Sequence, residues 1–226
     1  MAGRKRKKKR NRYRKHIIIW ILLLLVTAHF CGGKLQQTLH KMPGETDWEL
    51  IVVNKWNTIP DGYQTELTTL SNGKQVDSRI YPALQDLFDA MRADGIYPIV
   101  REGYRTTTDQ QSILDDKIKG YEQEGLSSLL AKKMASEWVA APGTSEHQLG
   151  IAVDINADKT KSTNDEVYTW LAEHAWEYGF ILRYPKDKEN VTGTGYEPWH
   201  YRYVGKEAAK EIWQEGCCLE EYVTQN

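Results

Sequence analysis

Cysteine is scarce in this 226-residue chain, and the three present build no scaffold. Cys217 and Cys218 are neighbours and Cys31 lies far from both, so no disulfide framework is legible. The adjacent pair lacks the gap of a thiolate metal motif; it reads as one half-buried thiol beside an exposed one. After residue 16 there is no repeat and no low-complexity tract. A His-Glu-x-x-His arrangement is also missing, which removes the helical zinc-hydrolase pattern. Ser145 lacks the sharp strand–turn–helix setting of a nucleophilic serine. Finally, no apolar run reaches the roughly 20 residues of a spanning helix. The longest, Ile17 to Cys31, holds fifteen largely apolar residues.

Charge is nearly balanced overall, at -1, but unevenly placed. Residues 1–16 carry ten Lys or Arg and no acid, leaving 20 basic and 31 acidic side chains on the other 210 residues, net -11. That acidic remainder excludes nucleic acid as a partner, because such binding draws on Lys and Arg neutralising phosphates. The basic run is topological instead: positive charge before an apolar segment keeps the chain start cytoplasmic and sends the rest outside. The segment is short for a span, and snorkelling of Arg14 and Lys15 would extend it. A cleaved signal peptide has the same layout. His29, Phe30 and Cys31 occupy the place of a small-x-small cleavage site, which favours an uncleaved anchor, and Phe30 before Cys31 weakens a lipid-attachment reading. A buried core helix is disfavoured by the ten flanking charges.

The expected domains are therefore a basic cytoplasmic terminus (1–16), an anchor or signal segment (17–31), a linker (32–47) and one extracytoplasmic domain (48–226). Within the last, Leu50 to Val53 reads as a strand, and Pro60-Asp61-Gly62 as a turn. Ile80, Leu84, Leu87, Phe88 and Met91 recur at helical spacing over 79–93, with Gly95 as the stop. Ile96 to Val100 is a strand whose Pro98 calls for an edge position or a bulge. Helices follow over about 108–124 and 126–139, before Pro142-Gly143. Ile151 to Ile155 is a strand, 165–178 a helix ended by Gly179, Phe180 to Arg183 and Tyr201 to Val204 strands, and 206–215 a helix ended by Gly216. Strands and helices mix without regular alternation, so the class is α+β, a small antiparallel sheet with flanking helices.

Two segments carry the chemistry. Ser145-Glu146-His147-Gln148-Leu149-Gly150 leads into a strand bearing Asp154, and Glu197-Pro198-Trp199-His200 leads into the next. A turn after His147 can fold it back towards Asp154. His147, Asp154 and His200 form a His, Asp, His set that leaves a fourth zinc position open for water. The competing reading of the same residues is structural, with each satisfied by local hydrogen bonds. Pro198 keeps the stretch before His200 from being helical, so the Glu197 carboxylate can stand near that water and move its proton without ligating. Glu146 is the rival base, ranked second because its side chain diverges from that of its neighbour His147; otherwise it is a solvent-facing acid. Arg105, in a turn led by Gly103, can clamp a substrate carboxylate or stabilise an oxyanion. Gln110 can add a donor to that carboxylate, and Ser145 can hydrogen-bond the substrate terminus. Trp199 and Tyr203 read as packing behind the site.

The pattern Ser145-x-His147-x-x-Gly150-x-Ala152-x-Asp154, followed by Glu197-x-Trp199-His200-x-Arg202-Tyr203, resembles the VanY-type D-alanyl-D-alanine carboxypeptidases. These are zinc peptidases related in fold to lysostaphin-like and hedgehog-like domains. Gly103-Tyr104-Arg105-Thr106 with Gln110 is similar to a further element of that family, Thr106 replacing its Ser, and Val53-Asn54 through Ile59-Pro60 looks like its opening segment. The resemblance covers roughly residues 48–215. It implies one catalytic Zn2+ held by His147, Asp154 and His200, Glu197 as base, Arg105 on the carbonyl or terminal carboxylate, and Ser145 and Gln110 lining that pocket. The implied reaction releases D-alanine from a peptidoglycan stem pentapeptide, catalysed by a monomer on the outer face of a bacterial cell membrane, or secreted if the leader is cut. An L,D-carboxypeptidase acting on tetrapeptides shares the chemistry and differs in the pocket wall, which falls to residues 108–140. A noncatalytic wall-binding zinc module is the reading from another class, and Glu197 argues against it.

Overall fold

The computed structural model describes residues 48–225. The basic terminus, the segment 17–31, the linker 32–47 and Cys31 lie outside the described residues. Among the described residues no helix is long and apolar enough to cross a membrane.

A hairpin comes first, from strands too short to show a period. β1 (Leu67–Thr69) and β2 (Gln75–Asp77) pair antiparallel with Thr68 opposite Val76. Helix α1 (Tyr81–Ala93) follows, with Pro82 in the first turn, where a missing N–H leaves no bond unmade. Its Leu84, Leu87, Phe88 and Met91 are buried as the periodicity predicts, and they join Val153 and Ile155 in one core cluster. Each such side chain contributes about 1.5–3 kcal/mol by leaving water.

The main sheet contains β3 (Pro98–Glu102), β4 (Ala152–Ala157), β5 (Phe180–Leu182) and β6 (His200–Tyr203) in the order β3-β4-β6-β5, all antiparallel. The α+β expectation holds. β3 is an edge strand, which accommodates Pro98 at its start, and it has a register irregularity between Val100 and Glu102. Between β3 and β4 lie α2 (Thr107–Gln123) and α3 (Ser128–Ala135). Thr106 caps α2 in a capping box with Asp109. Gln110 of α2 and Ala131 and Ala135 of α3 are buried but none joins the main core cluster, so this pair is a surface lobe.

Helix α4 (Asn164–His174) starts at a second capping box, Thr163 with Glu166, and buries Val167, Trp170 and Leu171. Its last turn tightens to a 3-10 segment over Ala175–Tyr178 before Gly179. The short α5 (Glu189–Thr192) precedes β6. After β6, α6 (Lys206–Glu215) and α7 (Leu219–Gln225) complete the domain, with Ile212 and Leu219 packed on Ile181 and Val204 in a second cluster. Cys218 is buried and Cys217 half-buried, both as free thiols.

One expected strand is absent. Trp48–Leu50 forms a 3-10 turn and the chain then runs irregularly through Val53. The backbone carbonyls of Glu49 and Ile51 are taken by Arg202 Nη2, at 2.9 and 3.0 Å, instead of by a neighbouring strand. The apolar run is nonetheless core, with Val53 fully buried. α3 is also shorter than its expected span, because the chain turns over 136–139.

Candidate metal centre

Register places the first two ligands. In the β4–β6 pair Asp154 stands opposite His200, and in the β3–β4 pair Glu102 stands opposite Asp154. Directly opposed residues share a face, so Glu102, Asp154 and His200 form a row on the side away from the core residues Val153 and Ile155. His200 Nδ1 lies 3.0 Å from Asp154 Oδ1.

The third ligand arrives on a 3-10 turn, Glu146–Leu149, that precedes β4. Gly150 closes it at φ +77°, a left-handed conformation suited to glycine. His147 Nδ1 donates to Gly103 O at 2.8 Å, which leaves Nε2 facing Asp154 Oδ1 at 3.4 Å. Gly103 is required there, since a Cβ would lie 2.2 Å from the Gln75 carbonyl oxygen. The two imidazoles meet edge to face at 4.9 Å. One ligand atom from each of His147, Asp154 and His200 falls within 4.8 Å of the others, close enough to hold one metal ion. Two imidazole nitrogens and a carboxylate oxygen are the donor set that suits zinc with one position left for water.

In the metal-free site, electrostatics favours ligation by Asp154 and His147 and opposes it at His200. Burial opposes the Asp154 carboxylate, but the two histidines outweigh it and hold its pKa well below the ordinary range. Burial lowers the pKa of His147, keeping it neutral and able to ligate. For His200 burial also acts downward, yet the Asp154 and Glu146 carboxylates win and push it up to about 9.

Around the cluster lies a cavity of about 270 Å³ whose lining includes Ser145, Glu197, Arg105 and Gln110. The Glu197 carboxylate is 3.8 Å from His200 Nδ1, and burial raises its pKa above the ordinary carboxylate value. Arg105 is fixed by its backbone N–H to His147 O at 3.2 Å and by Nη1 to Gln110 Oε1 at 3.2 Å. Its Nη2 lies 3.9 Å from Asp154 Oδ2. Gln110 gives one N–H to Ala140 O at 2.7 Å while its Oε1 braces Arg105, and it lines the same cavity. Trp199 lines the cavity rather than packing behind it, whereas Tyr203 does pack away, stacked on Trp48 at 5.9 Å. Ile113 and Trp138, from the α2–α3 lobe, add an apolar edge.

Glu146 is neither the rival base nor a solvent-facing acid. Its side chain is fully buried, with Oε1 accepting from Arg183 Nε at 2.7 Å and from Arg202 Nη1 at 2.8 Å. Oε2 faces His200 Nε2 at 3.6 Å, the ring nitrogen opposite the one that faces Asp154. Burial opposes its charge, but the two guanidiniums hold its pKa well below the usual carboxylate range. Sequence reasoning missed the roles of Arg183, Arg202 and Glu220: Arg202 reads in sequence only as part of the His200 motif, and Arg183, just past β5, and Glu220, in α7, lie in no motif.

The family model described as VanY, D-alanyl-D-alanine carboxypeptidase, matches residues 73–206. A D-alanyl-D-alanine carboxypeptidase of Enterococcus faecalis (strain ATCC 700802 / V583) is 58% identical over 186 residues, covering 82% of this chain and 69% of its own length. Two solved structures are each 60% identical over 78% of this chain. One is a vancomycin resistance D,D-pentapeptidase VanY mutant from a VanB-type resistance cassette in complex with Zn(II), covered over 99% with a TM-score of 0.75. The other is VanYB in complex with D-alanine-D-alanine, covered over 98% with a TM-score of 0.76.

Proposed function

The chain belongs to the VanY family of D-alanyl-D-alanine carboxypeptidases, and from that premise we propose how its own residues serve the reaction. It is a zinc-dependent D,D-carboxypeptidase that releases D-alanine from peptidoglycan stem pentapeptides. The L,D-carboxypeptidase alternative is not favoured, since the relative at 58% identity and both structures at 60% are D,D-enzymes or bind D-alanine-D-alanine. The observation that carries the assignment is the His147, Asp154 and His200 cluster, which opens on the cavity shared by Glu197 and Arg105.

His147 through Nε2, Asp154 through its carboxylate and His200 through Nδ1 would hold the ion. When bound, zinc supplies Lewis acidity, making a water nucleophilic near neutral pH and polarising a carbonyl. Glu197 takes the proton of the attacking water and returns it to the leaving amine of D-alanine. Its half-sheltered position favours this, because a carboxylate whose pKa is raised by burial both accepts and releases a proton readily. Arg105, braced by Gln110, meets the terminal carboxylate of the substrate, and Ser145 lines the same end of the cavity. Water is kept from the imidazoles by their own burial, His147 and His200 being 5% and 3% exposed. The domain 48–226 is proposed to stand outside the membrane, tethered by segment 17–31 or released from it.

The test separates ligand from base. In His200→Ala, zinc content and turnover should both be lost; Glu197→Ala should keep one equivalent of zinc and lose turnover by about 10²–10⁴-fold. Parent-rate hydrolysis by Glu197→Ala would remove its assigned role.

A further inference from the structure

Resting on the metal-centre reading above, we infer that Glu146 is a positioning residue that presents His200 to the metal through Nδ1, clamped in that role by Arg183 and Arg202. Three buried side-chain atoms among the described residues have no hydrogen-bond partner: Arg105 Nε, Glu146 Oε2 and His200 Nε2. The last two face one another at 3.6 Å. Buried polar groups are almost always paired, and these two are a donor and an acceptor with no other candidate. A small closure makes the pair a carboxylate–histidine bond of the kind that orients metal-ligating imidazoles.

The geometry leaves Glu146 little choice. Its Oε1 is occupied by Arg183 Nε and Arg202 Nη1, and both guanidiniums are fixed in turn. Arg183 gives Nη1 and Nη2 to Glu220 at 2.9 and 2.6 Å, and Glu220 also accepts from Asn54 Nδ2 at 2.9 Å. Arg202 Nη2 holds the Glu49 and Ile51 carbonyls. The carboxylate cannot rotate without breaking two charge-assisted bonds, so Oε2 stays aimed at His200. The two histidines are thereby given opposite tautomers. His147 bonds through Nδ1 to Gly103 O and offers Nε2, whereas His200 turns Nε2 to Glu146 at 3.6 Å and presents Nδ1 to Asp154 at 3.0 Å. Through Glu220 the C-terminal helix α7 anchors the far side of Arg183.

The experiment compares zinc affinity, by chelator competition, and thermal stability in the parent, Glu146→Gln and Glu220→Gln. Glu146→Gln should weaken zinc binding by about 10–100-fold, as loss of such outer carboxylates does. Glu220→Gln, which loosens Arg183 without touching His200, should lower the melting temperature while leaving zinc affinity within about threefold, a margin below one tenfold step. Equal loss of affinity in both variants, or none in Glu146→Gln, overturns the inference. Should the parent itself bind no zinc, the metal-centre reading falls instead, so the two failures are distinct. Because Glu146→Gln can fail to fold, ¹⁵N-histidine NMR of the zinc-loaded parent supplies a second readout. A slowly exchanging Nε2–H on His200 with Nδ1 bound to metal supports the inference, and Nε2 bound to metal overturns it.

Discussion

Raising the pH from 7 to 9 should strengthen zinc binding by about 100-fold, chiefly through one side chain. His200 is buried, which alone would lower its pKa. Asp154 at 3.0 Å and Glu146 at 3.6 Å reverse that and push it up to about 9 in the metal-free protein. A ligating imidazole must be neutral, so binding expels the Nδ1 proton. His147 adds no comparable term because burial keeps it neutral, and the Asp154 carboxyl is already ionised. At pH 7, below that pKa, about one His200 in 100 is deprotonated, a penalty on the order of 3 kcal/mol. The apparent Kd should therefore fall about tenfold per pH unit up to 9 and level off above it. Chelator competition between pH 6.5 and 9.5, corrected for protonation of the chelator, reads the slope. Calorimetry in two buffers of different ionisation enthalpy should give about one proton released per zinc at pH 7. An affinity flat between pH 7 and 9, or no proton release, would refute the reasoning.

The same shift affects the metal-free fold: a histidine whose folded pKa is raised stabilises fully below its unfolded value near 6.5 and loses this as pH rises through about 9. Chelated protein should thus melt at lower temperature at pH 10 than at pH 7, with no such decline if His200 is not raised. Arg105→Ala should slow hydrolysis of peptides with a free terminal carboxylate far more than of amidated ones; an equal loss on both would move Arg105 to the scissile carbonyl. Arg202→Ala removes one clamp of the buried Glu146 and frees two backbone carbonyls, so urea unfolding should show a loss of about 3–5 kcal/mol. A loss under about 1 kcal/mol would mean that water replaces the guanidinium.

Much of this was legible because local chemistry and tertiary demand agreed. Gly216 ends α6 where the amphipathic spacing stops, and Pro98 sits on an edge strand as its missing donor requires. The metal set was legible from its two motifs, whereas the β4–β6 register that sets Asp154 opposite His200 was not. Other features depend on partners remote in sequence. Leu50 to Val53 has a strand's composition, but its carbonyls go to Arg202, about 150 residues away. The β1–β2 hairpin and α7 were missed, the first because three-residue strands carry no readable alternation. Glu146 was misread for a related reason. In sequence it is an acid beside a ligand, and only folding supplies the two arginines that make its burial tolerable.

The central claim is tested most directly by incubating the protein with muramyl pentapeptide and, separately, muramyl tetrapeptide, with and without chelator, and following both by mass spectrometry. The account predicts loss of one D-alanine from the pentapeptide, abolished by chelator and restored by zinc, with the tetrapeptide left intact. Release of D-alanine from the tetrapeptide in preference to the pentapeptide, or undiminished release in the presence of chelator, would contradict it.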